Sequence, residues 1–471
     1  MPIITGRFMA PIMEENAGAT TARGDIAQGG ITTAAGEAFM HRAEETVPHL
    51  IMGPDTAQQP GPAGPEQLSA PPLPPPAEVL AIPGVHTLHQ AECMQRHVIE
   101  PRPDWKAKAE ALGFTYHTPN GEVYWDESAY YSFTYEQIAI LEKTSTRLHR
   151  LCLKAVEHVF RNNLFSRFCI PEEYIPSIKE SWKRKNPSVY GRFDLSWNGD
   201  LAIHPKMLEY NADTPTSLLE ASVVQWSWLK DFHNSYDQFN SIHEKLVAVW
   251  KKIKSESGKQ ALYFSCLDEY PEDYRNLMYL LDCAAQAGIK TRYIPVNDIG
   301  WDGTAFKDMD EQTIHTIFKL YPWEWMLKET FGPHLIKADT RWIEPSWKMI
   351  LSNKAILPIL WELFPNHPNL LECYVDEPRT LSSYVKKPLL SREGANVTLI
   401  ENGQETASTP GAYGAEGFIY QQLQKLPEFD GNFPVIGSWM IGGKSAGMGI
   451  RESRGAITDN LSRFVPHAII G

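Results

Sequence analysis

Apolar and polar positions alternate in two different rhythms along this chain. In "LHRLCLKAVEHVF" the apolar residues recur at helical spacing with charges on the other face, which predicts a helix. "GRFDLSWNGDLAIHPKMLEYN" reads as two strands joined at Asn198-Gly199-Asp200, because Asn-Gly is the strongest short hairpin signal. "ALYFSCL", "YRNLMYLLDCAAQAG" and "KTRYIPV" follow as strand, helix and strand, a unit that predicts a parallel sheet. "NKAILPILWELF" is helical, with Ser352 or Asn353 as its cap. The C-terminal third, "YVKKPLL", "GFIYQQLQ" and "VIGSWMIGGKSAGMGIRES", reads as strands with glycine turns. No internal repeat is visible. The class is mixed α and β, with an antiparallel part late in the chain.

Neither rhythm holds before about residue 96. Only Phe8 and Phe39 are aromatic ahead of Trp105, and ten prolines fall between Pro54 and Pro83. Such a stretch buries too little apolar surface to offset its ordering entropy. Residues 1–90 are therefore expected to be a disordered leader, and 91–471 the folded domain. The start, "MPIITGRFMAPIMEENAG", lacks the charged and apolar regions of a signal peptide, and its early acids do not suit a transit peptide. No stretch approaches the roughly 20 apolar residues of a membrane span.

Composition narrows the function classes. The six cysteines form no C-x-x-C pair and no metal-ligand spacing, and most sit in apolar runs, as buried reduced thiols of a cytoplasmic protein would. A net charge of −13 argues against nucleic acid and suits a cationic substrate such as a polyamine. The sequence leaves the oligomeric state open.

The chemistry concentrates in polar turns. "MLEYNADTPTSLLEA" crowds Glu209, Asn211, Asp213 and Thr214 between apolar elements, and buried carboxylates are costly unless paired or metal-bound. On paired strands Arg192 and Asp194 share one face, as do Glu209 and Asn211. Asp194, Glu209 and Asn211 would then form a hard-cation set suited to magnesium, unless the hairpin is a surface element with unrelated acids. Lys354 opens a helix, Lys387 ends a strand, and Ser391, Arg392, Gly394 and Asn396 lie in the loop "LLSREGANV". A glycine there lets backbone N–H groups approach an anion, although a solvated turn has the same composition. "SWMIGGKSAG" only imitates a phosphate-binding P-loop. Ser438 replaces its first glycine and a strand follows, so the segment is read as a hairpin delivering Arg451.

Taken together, "RFD", "EYNADTPT", "EPSWKMILSNKAILPILWELFP", "KPLLSREGANV", "IYQQLQKLP" and "GIRES" strongly resemble the glutathionylspermidine synthase family over about residues 100–467. The resemblance implies an α+β ATP-grasp ligase fold preceded by an α/β, pre-ATP-grasp-like region. It also implies carboxylate–amine ligation through an acyl phosphate, with a thiol-peptide acid such as glutathione and a polyamine such as spermidine as substrates. By motif, Arg192 faces the transferring phosphoryl group, and Asp194, Glu209 and Asn211 hold two magnesium ions. Lys354, Lys387 and Arg451 contact ATP phosphates, Gln421 and Gln422 lie near adenine, and Thr214 and Thr216 bind the acid. Asp268, Glu269, Glu272 and Asp273 would receive the polyamine or form a solvated acidic loop.

Two departures stand out. The Pro-rich leader replaces the amidase domain of bifunctional members, which places the chain with stand-alone acid–amine ligases. In "FKLYPWEWM", Leu320 stands near a position that is polar in the synthetases. The competing readings are an ATP-binding pseudoenzyme and a ligase that takes an amino acid as its amine.

Overall fold

The computed structural model describes residues 93–257, 260–459 and 462–470. The expectation for residues 1–90 lies outside the described residues. Two five-stranded antiparallel sheets form the centre. The first has the order β18 (Arg463–Val465), β17 (Lys444–Ser453), β16 (Phe433–Ile441), β3 (Tyr190–Ser196) and β4 (Lys206–Asn211). The second has the order β11 (Cys373–Val375), β15 (Phe418–Gln422), β12 (Tyr384–Pro388), β13 (Thr398–Glu401) and β14 (Gln404–Ser408).

A parallel four-stranded sheet lies between β4 and β11 in sequence: β10 (Arg341–Ile343), β9 (Thr316–Leu320), β5 (Leu262–Cys266) and β6 (Thr291–Tyr293). Helix Pro271–Gln286 makes the β5–β6 crossover, as the sequence pattern predicts. Strands β5 and β9 are neighbours whose connections run to opposite sides, and the crevice at such a point is where open α/β sheets bind ligands. The small strands β7 (Gly300–Trp301) and β8 (Phe306–Lys307) pair between β6 and β9. Finally β1 (Gln95–Val98) and β19 (His467–Ile469) both pair with β2 (Ala129–Phe133), tying the two ends of the described chain together.

Strand alternation divides the first sheet into a packed face and a working face. Phe193 and Tyr210 stack with their rings 3.9 Å apart, and Ser438 lies beside them. The helix Tyr135–Arg161 covers that side, with a buried stripe of Ile138, Leu141, Leu148, Cys152, Ala155 and Val159 at helical spacing. His149 of this helix bonds the Tyr210 hydroxyl at 3.3 Å, and Ser145 meets Ser438 at 2.6 Å. Its N-terminus is closed by a reciprocal Thr134–Gln137 capping box. Arg192, Asp194, Glu209 and Asn211 are left to the opposite face.

Three expectations need correction. The β3–β4 connection is the loop 197–205 rather than a tight two-residue turn. Asn198 and Gly199 instead dock the N-terminal segment: the Asn198 carbonyl accepts from the Met94 N–H, and a Cβ on Gly199 would stand 2.3 Å from that nitrogen. Helix Ile356–Leu363 starts later than its motif implied, so Lys354 lies in the turn before it, where the Asn353 side chain accepts from the Ala355 N–H. The cysteines are all free, but Cys93 and Cys169 are exposed. Among the described residues no helix is long and apolar enough to cross a membrane.

Candidate active site

The register of β3 with β4 sets Arg192 opposite Asn211 and Asp194 opposite Glu209, on the working face. A bulge follows this pair and leaves Leu208 as the extra residue, so that Leu208 and Glu209 both line the cleft between the two antiparallel sheets. Arg192 grips Asp194 through two N–H groups, at 2.7 and 3.1 Å, and donates a third to the Thr216 carbonyl at 2.8 Å. Its side chain lies across Gly437 of β16, where a Cβ would come within 2.9 Å of the Arg192 Cδ. The glycine is therefore what lets the arginine lie flat on the sheet.

Asn211 donates to both carboxylates, 3.0 Å each to Asp194 and Glu209. Lys354 faces Glu209 at 3.2 Å and donates to the Ser391 carbonyl at 2.6 Å. Lys387 donates to the Leu208 carbonyl and to the Gln421 amide oxygen. Burial opposes ionisation of Glu209, yet Lys354, Lys387 and the Asn211 amide hold its carboxyl down at about 2. Burial pushes Asp194 upward, against the pull of Arg192. Burial also lowers Lys387, with Glu209 opposing and Lys354 reinforcing the shift. Lys354 and Lys387 thus give the cleft fixed cations that can receive negative charge.

The cleft encloses about 740 Å³ including its mouth. Its lining combines apolar side chains, Val385, Val397, Leu399, Leu423 and Leu426, with the charged Asp194, Glu209, Lys354 and Lys387. A nucleotide presents the same two kinds of surface, in its base and in its phosphates. Gly394 lies in the wall and has a φ of +70°, and a Cβ there would meet the Thr458 carbonyl at 2.6 Å. A second chamber shares Asp194, Val435 and Thr458 with the first and adds Arg192, Ser217 and Arg451. Arg451 is fixed there by the carbonyls of Asp459 and Ser462 and lies over the Tyr124 ring.

The chemistry of the set fits a magnesium ion. Two facing carboxylates and an amide that could turn its oxygen toward them provide hard donors. Among the described residues no three His, Cys, Asp or Glu side chains gather as a metal group, so an ion here would draw further ligands from phosphate and water.

The remaining sequence-derived positions divide. Thr214 accepts from Arg392 at 2.6 Å, and Arg392 also grips Glu324, bridging the "SREGAN" loop to the turn after β4. Gln421 is buried behind Lys387, but Gln422 faces away from the cleft, and Leu423 and Gln424 reach the cavity instead. Asp268 and Glu269 are exposed in the turn after β5. Glu272 belongs to a group with Glu220, Glu393, Tyr116 and Arg451, whose mutual fields are felt at Tyr116. Asp273, partly exposed beside them, is pushed up to about 8 by burial and by Glu272 and Glu393.

Asp213, one of the crowded acids of the β4 turn, is instead taken up by an ion pair. It accepts from Lys319 at 2.6 Å and from the Trp323 backbone N–H at 3.0 Å, with both side chains of the ion pair about 1% exposed. Sequence reasoning missed Lys319, Glu324, Tyr124 and Glu220. Lys319 is 106 residues from Asp213 and sits inside an apolar strand, so no local spacing links them.

Two antiparallel sheets closing on a cleft of lysines, arginine and facing carboxylates, beside a parallel α/β layer, define an ATP-grasp architecture. The chain belongs to the glutathionylspermidine synthase family, whose preATP-grasp description matches residues 96–470. It is 42% identical to a Haemophilus influenzae chain named as a candidate acid–amine ligase, with 78% of this chain and 98% of that one covered. It is 31% identical to the trypanothione synthetase of Crithidia fasciculata, over 68% of this chain and 53% of the relative. Identity to the bifunctional glutathionylspermidine synthetase/amidase of Escherichia coli is 26%, over 78% of this chain and 63% of the relative. The chain thus spans nearly all of the first relative and less than two thirds of the other two.

Proposed function

We propose that this protein is an ATP- and magnesium-dependent ligase that joins a carboxylic acid to an amine through an acyl phosphate. The observation that carries the reading is the juxtaposition of Lys354 and Lys387 with facing Asp194 and Glu209, beside Arg192, in a cleft that is otherwise lined mainly by apolar side chains. A carboxylate attacking a triphosphate brings anion toward anion, so fixed cations must offset the developing charge. Lys354 and Lys387 bind the nucleotide phosphates, and Arg192 and Arg451 face the phosphoryl group in transit. Magnesium held by Asp194, Glu209 and Asn211 would add neutralisation of phosphate charge.

Thr214, Thr216 and Arg392 orient the acid. The named relatives support a thiol-peptide carboxylate such as glutathione, and the carboxylates Glu272, Asp273 and Glu393 beside the chamber support a cationic amine such as a polyamine. The loop 391–396, pinned by Arg392 to Thr214 and Glu324, closes over the acyl phosphate and keeps water from it. ADP release over a matrix of acids and amines tests the reading. The expected result is release that requires magnesium, an acid and an amine together. Release independent of both organic substrates, or none with any pair, would overturn it.

A further inference from the structure

A buried hydrogen-bond chain leads out of the second chamber, passing beneath Arg451, which lies over the Tyr124 ring. Ser217 lines that chamber beside Arg192 and Arg451. Its hydroxyl lies 2.8 Å from the Tyr124 hydroxyl, which donates to Glu220 Oε1 at 2.9 Å. All three side chains are buried, and Glu220 is 0% exposed. Its other oxygen, Oε2, has no hydrogen-bond partner. A carboxyl so placed without a paired cation is costly to ionise, and such groups concentrate where a protein moves protons.

The direction of the chain is fixed by its chemistry. When Glu220 is ionised, Tyr124 donates its proton to it, so the Ser217–Tyr124 bond runs from Ser217 as donor. The Ser217 oxygen then offers its lone pairs outward, as an acceptor for a proton arriving from the chamber. Ser217 holds this orientation with a φ of +66°, a left-handed backbone conformation that non-glycine residues seldom adopt.

We propose that Glu220, reached through Tyr124 and Ser217, takes a proton from the attacking amine during ligation. This rests on the acid–amine ligase reading. A protonated amine must shed two protons to become an amide nitrogen. As the C–N bond forms, the acyl C–O bond to phosphate breaks and phosphate leaves with that electron pair. One proton goes to the leaving group, which departs as hydrogen phosphate. The other passes to Ser217 Oγ as the Ser217 proton moves to Tyr124 and the Tyr124 proton moves to Glu220, which returns it to solvent after product leaves. The field at Glu220 favours this role, because burial and Glu272 raise its carboxyl to about 7, with Tyr124 and Arg451 pulling the other way and Tyr116 close by. A base near neutrality takes protons most effectively at neutral pH.

The test uses the full chain with Glu220→Gln and Tyr124→Phe. The phenylalanine keeps the ring against Phe114 and Tyr116 and removes only the relay hydroxyl. Amine-dependent kcat is measured from pH 6 to 9, alongside trapping of the acyl phosphate by hydroxylamine, which is unprotonated at neutral pH. Each variant should lose about 100-fold or more in amine ligation and lose the rising limb of its pH profile, while hydroxamate yield falls far less. Equal loss of ligation and hydroxamate would show a structural role and overturn the relay, as would ligation with unchanged rate and pH profile. A wild-type enzyme that releases ADP with no acid–amine pair would remove the ligase reading and the relay with it. If Glu220→Gln fails to fold, Tyr124→Phe alone decides by the same split.

Discussion

Arg192 is the residue where geometry and chemistry meet most closely. It uses a planar fork on Asp194 and a further donor on the Thr216 carbonyl, and lysine keeps the charge but not the fork. Arg192→Lys should therefore lower kcat by roughly a hundred- to thousandfold, with ATP affinity little changed, because loss of a transition-state donor typically costs about 2.7–4 kcal/mol. Single-turnover ADP formation checks it. Unchanged turnover with much weaker ATP binding would make Arg192 only a nucleotide anchor. Lys319 makes a different point. Lys319→Met would strand the buried Asp213 carboxylate, at a cost of about 3–5 kcal/mol. The added change Asp213→Asn should restore much of the lost Tm, because it removes the stranded charge. Glu220 gives a pH-dependent test. Its carboxyl ionises near 4.5 when unfolded and near 7 when folded, so rising pH removes stability across that window. Glu220→Gln escapes this penalty of at most about 3 kcal/mol. It should raise Tm at pH 8 and leave it nearly unchanged at pH 4.

Elements carry what single residues cannot. The Ser391–Asn396 loop is shaped at Gly394, whose positive φ and 2.6 Å approach to the Thr458 carbonyl exclude a side chain. Gly394→Ala should displace this lid and uncouple the reaction, raising the ratio of ADP released to amide formed. A ratio unchanged from wild type would mean that the loop does not shield the intermediate. The same scale shows what is legible in the sequence. Alternation alone places Arg192, Asp194, Glu209 and Asn211 on shared faces, and the β3–β4 register brings those faces together. The hairpin turn escapes local rules because Asn198 and Gly199 serve a tertiary contact with Met94, which no turn rule contains. Gln422 departs from its expected place for a related reason: strand period makes adjacent residues diverge, so two neighbouring glutamines cannot both face the cleft. Lys319 and Glu220 are invisible in the sequence because their meaning lies in partners distant along the chain or on another segment.

On the scale of the whole molecule, the two chambers are lined by segments between Arg192 and Phe464, while the two ends of the described chain meet on β2. Buried Glu452 reinforces that closure, accepting from Arg96, Tyr131 and Arg463. A chain lacking residues 1–90 keeps every one of these groups, and it should retain full-length kcat within about twofold; a large loss would assign the leader a part in catalysis. The central claim is the acyl phosphate itself. It is tested most directly with an acid labelled with oxygen-18 in its carboxylate, paired with the amine that the ADP screen selects. During a single turnover one labelled oxygen should pass from the acid into inorganic phosphate, with ADP as the nucleotide product. Label found in AMP, or phosphate released without label, would contradict the account.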